Sequence, residues 1–250
     1  MYYNPLMQYE KLAALYDGFM SDVDRGGWAD YLMRFIPKGA DVLECACGTG
    51  EMSIRLASRG LNVTAADISD EMLMVAARKQ REAGVPASRL RFVNMDMRTA
   101  SCHKKVDCVV SCCDGVNYLT SRADAMSFFT AANSALKPGG LLLFDVSSRY
   151  KLSRVLGNNC FTDNGEERAY LWQNTYDEKT KLIRMELSFF VKKGALYERF
   201  DETHIQRAHS VRELTSWLRE TGFEPAAYSF MTGEAPKEED ERIQFAARKI

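Results

Sequence analysis

The sequence has little histidine and no surplus of charge of either sign. Three histidines among 250 residues leave few imidazoles for acid–base or metal work. Lys and Arg total 33 against 34 for Asp and Glu, so the net charge of -1 provides no electrostatic footprint for nucleic acid or an anionic membrane. No stretch approaches the run of about 18 apolar residues that a spanning helix requires. Residues 1–10 have neither the basic start nor the apolar core of a signal peptide, so the expectation is a cytoplasmic protein without nucleic-acid or membrane partners. Internal repeats and low-complexity tracts are missing too. The seven cysteines are odd in number and sit mostly in the apolar runs 42–47 and 106–113, which suits reduced, buried thiols better than a disulfide framework. Cys45 and Cys47 with Cys112 and Cys113 lack the CxxC spacing of a structural zinc site, and alternate residues of a strand face opposite sides of a sheet. No metal is expected, and these thiols read as small apolar packing beside a ligand.

What is present is ordinary globular chemistry, 46% hydrophobic and 27% charged, in a chain long enough to bury one doubly wound core. Between residues 40 and 146, short β-rich runs at 40–44, 62–66, 91–94, 107–111 and 140–146 alternate with helical stretches at 52–58, 70–82 and 123–136. That rhythm predicts an α/β fold with a Rossmann-like, mostly parallel sheet of seven strands and helices on both faces. The last helix is stopped by Lys137-Pro138-Gly139-Gly140. Two amphipathic helices, at 10–20 and 26–35, precede the first strand and form an expected lid over residues 1–38. The cofactor-binding core is expected over 39–148. Residues 168–205 alternate as strands with turns at Asp177-Glu178-Lys179 and Lys193-Gly194, which predicts an antiparallel meander inserted over 149–208. A helix at 211–220 and strands at 226–230 and 243–248 complete one domain of 250 residues.

The segment Val42-Leu43-Glu44-Cys45-Ala46-Cys47-Gly48-Thr49-Gly50 runs from an apolar strand through a turn of small residues into a helix. Small residues let the backbone approach a ligand, and the helix N-terminus offers free N–H groups. Gly48, Gly50 and Ser53 also fall at the GxGxxG spacing of a dinucleotide site. Glu44 argues against a dinucleotide, because a carboxylate there would face a pyrophosphate unfavourably yet suits a cofactor carrying an ammonium. Asp67 closes the second strand, where it can accept from both ribose hydroxyls of an adenosine. Asp96, in Asn94-Met95-Asp96-Met97, is placed to accept from the adenine amino group with Met97 beside the base.

These residues resemble the class I S-adenosylmethionine-dependent methyltransferases. Glu44, Ala46, Gly48 and Gly50 match the family's first motif, with Ala46 where glycine is commoner. Asp67 matches its ribose-binding acid, Asp96-Met97 its adenine-side pair, and Leu136 to Gly140 its turn before the fifth strand. The chain is similar, more narrowly, to a bacterial small-molecule subgroup that includes aminosugar N-methyltransferases. That likeness rests on Tyr9, Tyr16-Asp17, Asp22-Val23-Asp24, Trp28, the Cys113 to Leu119 stretch and Arg199-Phe200-Asp201-Glu202. It implies S-adenosylmethionine as cofactor, with Tyr9, Tyr16 and Trp28 over its methionine end and Cys45, Ile68, Met72, Cys112 and Cys113 among its further contacts.

For the acceptor, His204 alternates with Glu202 and Gln206 on one strand face that is either a partly exposed polar surface or the wall of a pocket. Asn117 and Tyr118 follow the fourth strand, where they would either bind the acceptor or cap and pack the next helix. His204 and Asn117 are therefore the catalytic candidates, in a reaction that needs no dedicated catalytic group. The family's Asn-Pro-Pro-aromatic signature is missing from this place, which favours a small molecule over a nucleic-acid base or protein side chain. The rival expectation is a module that binds S-adenosylmethionine or S-adenosylhomocysteine without turnover. The apolar residues Leu171, Trp172, Ile183, Met185, Phe189 and Phe190 of the meander would either cover the acceptor pocket or join two copies as a homodimer.

Overall fold

In the computed structural model, which describes residues 24–250, the first helix is α1 (Arg25–Leu32), started by Asp24, whose side chain accepts from the Gly27 N–H. The helix expected at 10–20, with Tyr9 and Tyr16, lies outside the described residues. There follow β1 (Asp41–Cys45), α2 (Glu51–Ser58), β2 (Asn62–Asp67), α3 (Asp70–Glu82), β3 (Leu90–Asn94), β4 (Val106–Ser111), α4 (Arg122–Ala135) and β5 (Leu136–Ser147). The later elements are β6 (Cys160–Asn164), β7 (Arg168–Asp177), β8 (Leu182–Lys193), β9 (Leu196–Arg207), α5 (Val211–Glu220), β10 (Phe223–Ser229) and β11 (Arg242–Lys249).

The helices carry their own start signals. Ser69 caps α3 by accepting from the Met72 N–H, and Asp70 and Glu71 in the first turn with Lys79 and Arg81 in the last complement the helix dipole. Ser210 and Glu213 bond reciprocally as a capping box on α5, whose Leu214, Trp217 and Leu218 form its buried stripe.

The main sheet has the order β3-β2-β1-β4-β5-β11-β10, with β11 antiparallel to both neighbours and the pairs from β3 through β5 all parallel. Both faces are covered, so the central strands are apolar throughout rather than alternating. In β1, Val42 packs with Leu56, Leu61 and Val110 on one face, while Leu43 packs with Val109, Phe128 and Phe144 on the other. Strand order reverses between β1 and β4, and the crevice at such a switch point is where open α/β sheets bind ligands.

The expected turn at 137–140 is instead a bulge inside a longer strand. Val106 pairs with Leu136 and Cys108 with Leu141, so Lys137 to Gly140 loop out between two pairs of one ladder. Gly139, at φ +71°, supplies the left-handed residue.

The meander is a separate four-stranded antiparallel sheet in the order β6-β7-β8-β9, longer by one strand at its start than the sequence predicts. Its core is small: Ile183, Met185 and Ala208 close on Leu152 and Leu156 of a π-helical turn, Lys151–Leu156. Phe189 is buried against Phe200, with ring centroids 5.1 Å apart, whereas Leu171 is 50% exposed. Among the described residues no helix is long and apolar enough to cross a membrane.

Candidate active site

At the carboxyl end of β1 the chain reverses into α2 through alternating left-handed residues, Ala46 (φ +55°), Gly48 (φ +53°) and Gly50 (φ +73°). The two glycines do different work. A Cβ on Gly48 would meet nothing within 4 Å, so this position opens onto the crevice. On Gly50 it would stand 2.8 Å from the Phe92 ring and 2.9 Å from the Ala76 methyl, so Gly50 is a packing glycine beneath the turn. Ala46 holds a conformation that costs a non-glycine residue about 1–2 kcal/mol. It stays small because Gly115 packs against it: a Cβ there would stand 3.0 Å from Ala46's own.

Three acids meet this turn. Glu44 is 1% exposed and accepts from Ser53 Oγ, and among the described residues no cation pairs with it. Burial pushes its pKa up to about 7, against the Ser53 hydrogen bond and with help from the Asp67 charge. Asp67, the last residue of β2, accepts from the Gly48 N–H at 2.7 Å and the Ser69 N–H at 3.0 Å. Burial raises it as well, opposed by those backbone donors. Asp96 lies just past β3 and is engaged by Arg98, whose Nε donates to Oδ2 at 3.0 Å and whose Nη1 reaches Asp124 at 2.9 Å. The Arg98 hydrogen bonds hold Asp96 below the ordinary carboxylate range. A carboxylate offers about four lone-pair sites, so Asp96 keeps acceptor capacity beyond Arg98.

These residues line one cavity of about 330 Å³ at the β1/β4 switch point, with Ile68, Met72, Met95 and Met97 as its apolar wall and Cys112, Cys113, Tyr118 and Leu119 opposite. Of the residues singled out from the sequence, the structure brings Glu44, Ala46, Gly48, Asp67, Ile68, Met72, Asp96, Met97, Cys112 and Cys113 to it. It does not bring Trp28, Cys45 or Gly50. Trp28 is buried in the core, edge-on to Phe230 at 4.8 Å and 5.4 Å beneath the Arg242 guanidinium. Cys45 faces the Leu43 side of the sheet because strand residues alternate. Burial raises the thiols, Cys113 to about 12, which disfavours thiolate chemistry at the cavity.

Asn117 does not line the cavity either, and of its two readings the structural one describes its surroundings. It is fully buried and its amide bonds only backbone: Nδ2 donates to the Ser147 and Arg207 carbonyls at 3.0 and 2.9 Å, and Oδ1 accepts from the Ser147 N–H. It ties β4's exit to β5 and β9. His204 is 5% exposed, so its strand face is no solvated surface. Glu202, His204 and Gln206 all point inward, and Gln206 donates to Asp114 at 2.9 Å.

The sequence reading misses Arg98 and Asp124, and a second polar knot beside the cavity. Arg98 adjoins Asp96-Met97, and Asp124 lies three residues after the capping Ser121, so both had local signals. The knot is Arg242 between Asp114 and Asp145, with Arg242 Nη2 2.9 Å from Asp114 and Nη1 on Asp145. Its signal was Asp145, a lone acid in the apolar run Leu141 to Val146. The knot fixes Cys113 and Asp114, which are consecutive left-handed residues at φ +58° and +53°.

Residues 42–140 match the family model described as a methyltransferase domain. Over 246 residues the chain is 37% identical to YqeM of Bacillus subtilis strain 168, whose name assigns it as a methyltransferase and gives no substrate; the match covers 97% of this chain and 98% of that one. A solved S-adenosylmethionine-dependent methyltransferase from Clostridium acetobutylicum is similar at 32% identity and a TM-score of 0.86, covering 96% of this chain and 98% of the other. The sugar N-methyltransferase KedS8 of a Streptoalloteichus species shares the fold at 19% identity and a TM-score of 0.77, over 100% of this chain and 96% of its own.

Proposed function

This chain is a class I S-adenosylmethionine-dependent methyltransferase, and from that membership we propose that it passes the methyl group in line to a small-molecule acceptor bound in the cavity against the Cys113 to Thr120 turn, which β9 backs. The observation that carries this reading is the cavity itself. It runs from the acid-lined turn after β1 to Tyr118, Leu119 and Thr120, and its volume suits a small ligand.

The residues present fit the cofactor. Glu44, buried without a cationic partner among the described residues, holds the methionyl ammonium, and Asp67 accepts from the ribose hydroxyls. Asp96 accepts from the adenine amino group while Met97, Ile68 and Met72 pack against the base and ribose. The bound cofactor supplies a methyl carbon already activated by its sulfonium. What is left to the protein is to orient the acceptor and exclude water. The apolar wall serves the second purpose, and the strained Cys113-Asp114 turn, locked by Arg242, serves the first.

The test is release of S-adenosylhomocysteine across a panel of aminosugars, small amines, phenols, quinols and thiols. One acceptor class is expected to give turnover; tight cofactor binding with none on any class would return the protein to a cofactor-holding module. Glu44 adds a pH dependence. Its pKa of about 7 in the free protein falls when an ammonium sits beside it, so binding releases a proton. Affinity for S-adenosylmethionine should therefore rise as pH is raised from 6 to 8, levelling off above the free-state pKa. Calorimetry in buffers of different ionisation enthalpy reads the released proton, and Glu44→Gln should abolish both effects.

A further inference from the structure

Resting on the reading that the acceptor occupies the Tyr118 end of the cavity, we propose that Tyr118, His204 and Glu202 form a proton relay that deprotonates it. Tyr118 lines the cavity, and its Oη lies 3.3 Å from His204 Nδ1 with the rings edge to face. On the far side of the imidazole, Nε2 stands 3.2 Å from Glu202 Oε2, and both of these side chains are more than nine-tenths buried. Glu202 and His204 are next-but-one neighbours on β9, so the period of two aims both at the turn that carries Tyr118.

The arrangement fixes proton positions. A carboxylate facing Nε2 accepts its N–H, which leaves Nδ1 bare as the acceptor for the Tyr118 hydroxyl. The phenol oxygen then turns its lone pairs to the cavity. As the acceptor atom's lone pair bonds to the methyl carbon, the carbon–sulfur pair stays on sulfur. The acceptor's proton goes to Tyr118 Oη, and the tyrosine's own proton goes to His204 Nδ1. The imidazolium is stabilised by Glu202, and after product leaves the proton returns by the same two atoms to water. In this scheme Tyr118 is the catalytic residue, while His204 and Glu202 position and stabilise. A hydroxyl or ammonium acceptor uses the relay; an acceptor that binds already deprotonated has no use for it.

Histidine labelled with 15N in the full chain, with S-adenosylhomocysteine bound, tests the relay directly. Only three histidines exist, so His204→Gln identifies the signal by its loss. The expected spectrum has the His204 proton on Nε2 and a hydrogen-bonded Nδ1 that shifts in Tyr118→Phe; a proton on Nδ1 overturns the proposal. With the acceptor found by the panel, Tyr118→Phe should lower kcat by about 10²-fold, the lower end of acid–base contributions, with cofactor affinity unchanged. His204→Gln should lower kcat by roughly tenfold, a change read apart from binding by its unchanged KM. Unaltered kcat in Tyr118→Phe refutes the relay and leaves methyl transfer standing, whereas absence of turnover in the wild type refutes the reading beneath it.

Discussion

Asp67→Ala is expected to weaken S-adenosylmethionine binding by roughly 10²–10⁴-fold. Hydrogen bonds to a charged group contribute about 1.5–3 kcal/mol each, and the carboxylate makes two to the ribose in the proposed pose. The variant also loses the acceptor that fixes the Gly48 and Ser69 amides, so the turn that should receive the cofactor loosens. Asp67→Asn keeps the size and one acceptor oxygen and should fall in between. Isothermal calorimetry decides it, and an unchanged affinity in Asp67→Ala would remove the ribose from this place. Far-ultraviolet circular dichroism separates the loss of a contact from the loss of the fold.

The second large effect is on stability. Arg242→Met leaves Asp114 and Asp145 buried and facing each other with no cation between them, and breaking a buried pair from one side costs about 3–5 kcal/mol. In a chain of this size that lowers Tm by roughly 6–20 °C. The pH dependence has a definite sign. Burial raises Asp145 to about 6 even with Arg242 in place; burial also pushes Asp114 up, but Arg242, Gln206 and Lys151 together outweigh it and hold that acid low. Without the guanidinium both acids have folded-state values above their unfolded ones. The folded variant then binds more protons than the unfolded chain, and it loses stability as pH rises. The deficit relative to wild type should widen from pH 5 to pH 8 in thermal melts. A deficit independent of pH would assign the loss to the packing of Arg242 on Trp28 and Phe230 instead.

The parts of this protein that were legible in the sequence obey local rules. The parallel strands announce themselves as apolar runs, and Ser69 and Ser210 mark their helices by capping chemistry. The gathering of Glu44, Gly48, Asp67 and Asp96 at one cavity was legible because they fall at or just past strand ends, and in a parallel sheet strand ends converge on one edge. That Trp28 and Gly50 lie away from the cavity was not legible for the complementary reason: an aromatic on a helix or a glycine in a turn has the same sequence signature whether it meets a ligand or the core. The Arg242 knot and the partnership of His204 with Tyr118 join residues 128 and 86 positions apart, and no local pattern encodes which distant side chains will meet. The strand Cys160–Asn164 escaped notice because it is mostly exposed and has no apolar face to reveal its period.

The inward face of β9 sits on a strand paired with β8 in unbroken register from Leu196 to Arg207. A ladder of that kind is digital. Insertion or deletion of a single residue in the tight connection after Lys193 would not nudge Glu202, His204 and Gln206 but would replace them all at once with Thr203, Ile205 and Arg207, because the side-chain period is two. The cavity-lining acids at the ends of β1 to β3 would be untouched by that step. Change on this face can therefore proceed in discrete jumps on one hairpin, with the turns after β1, β2 and β3 inherited unchanged.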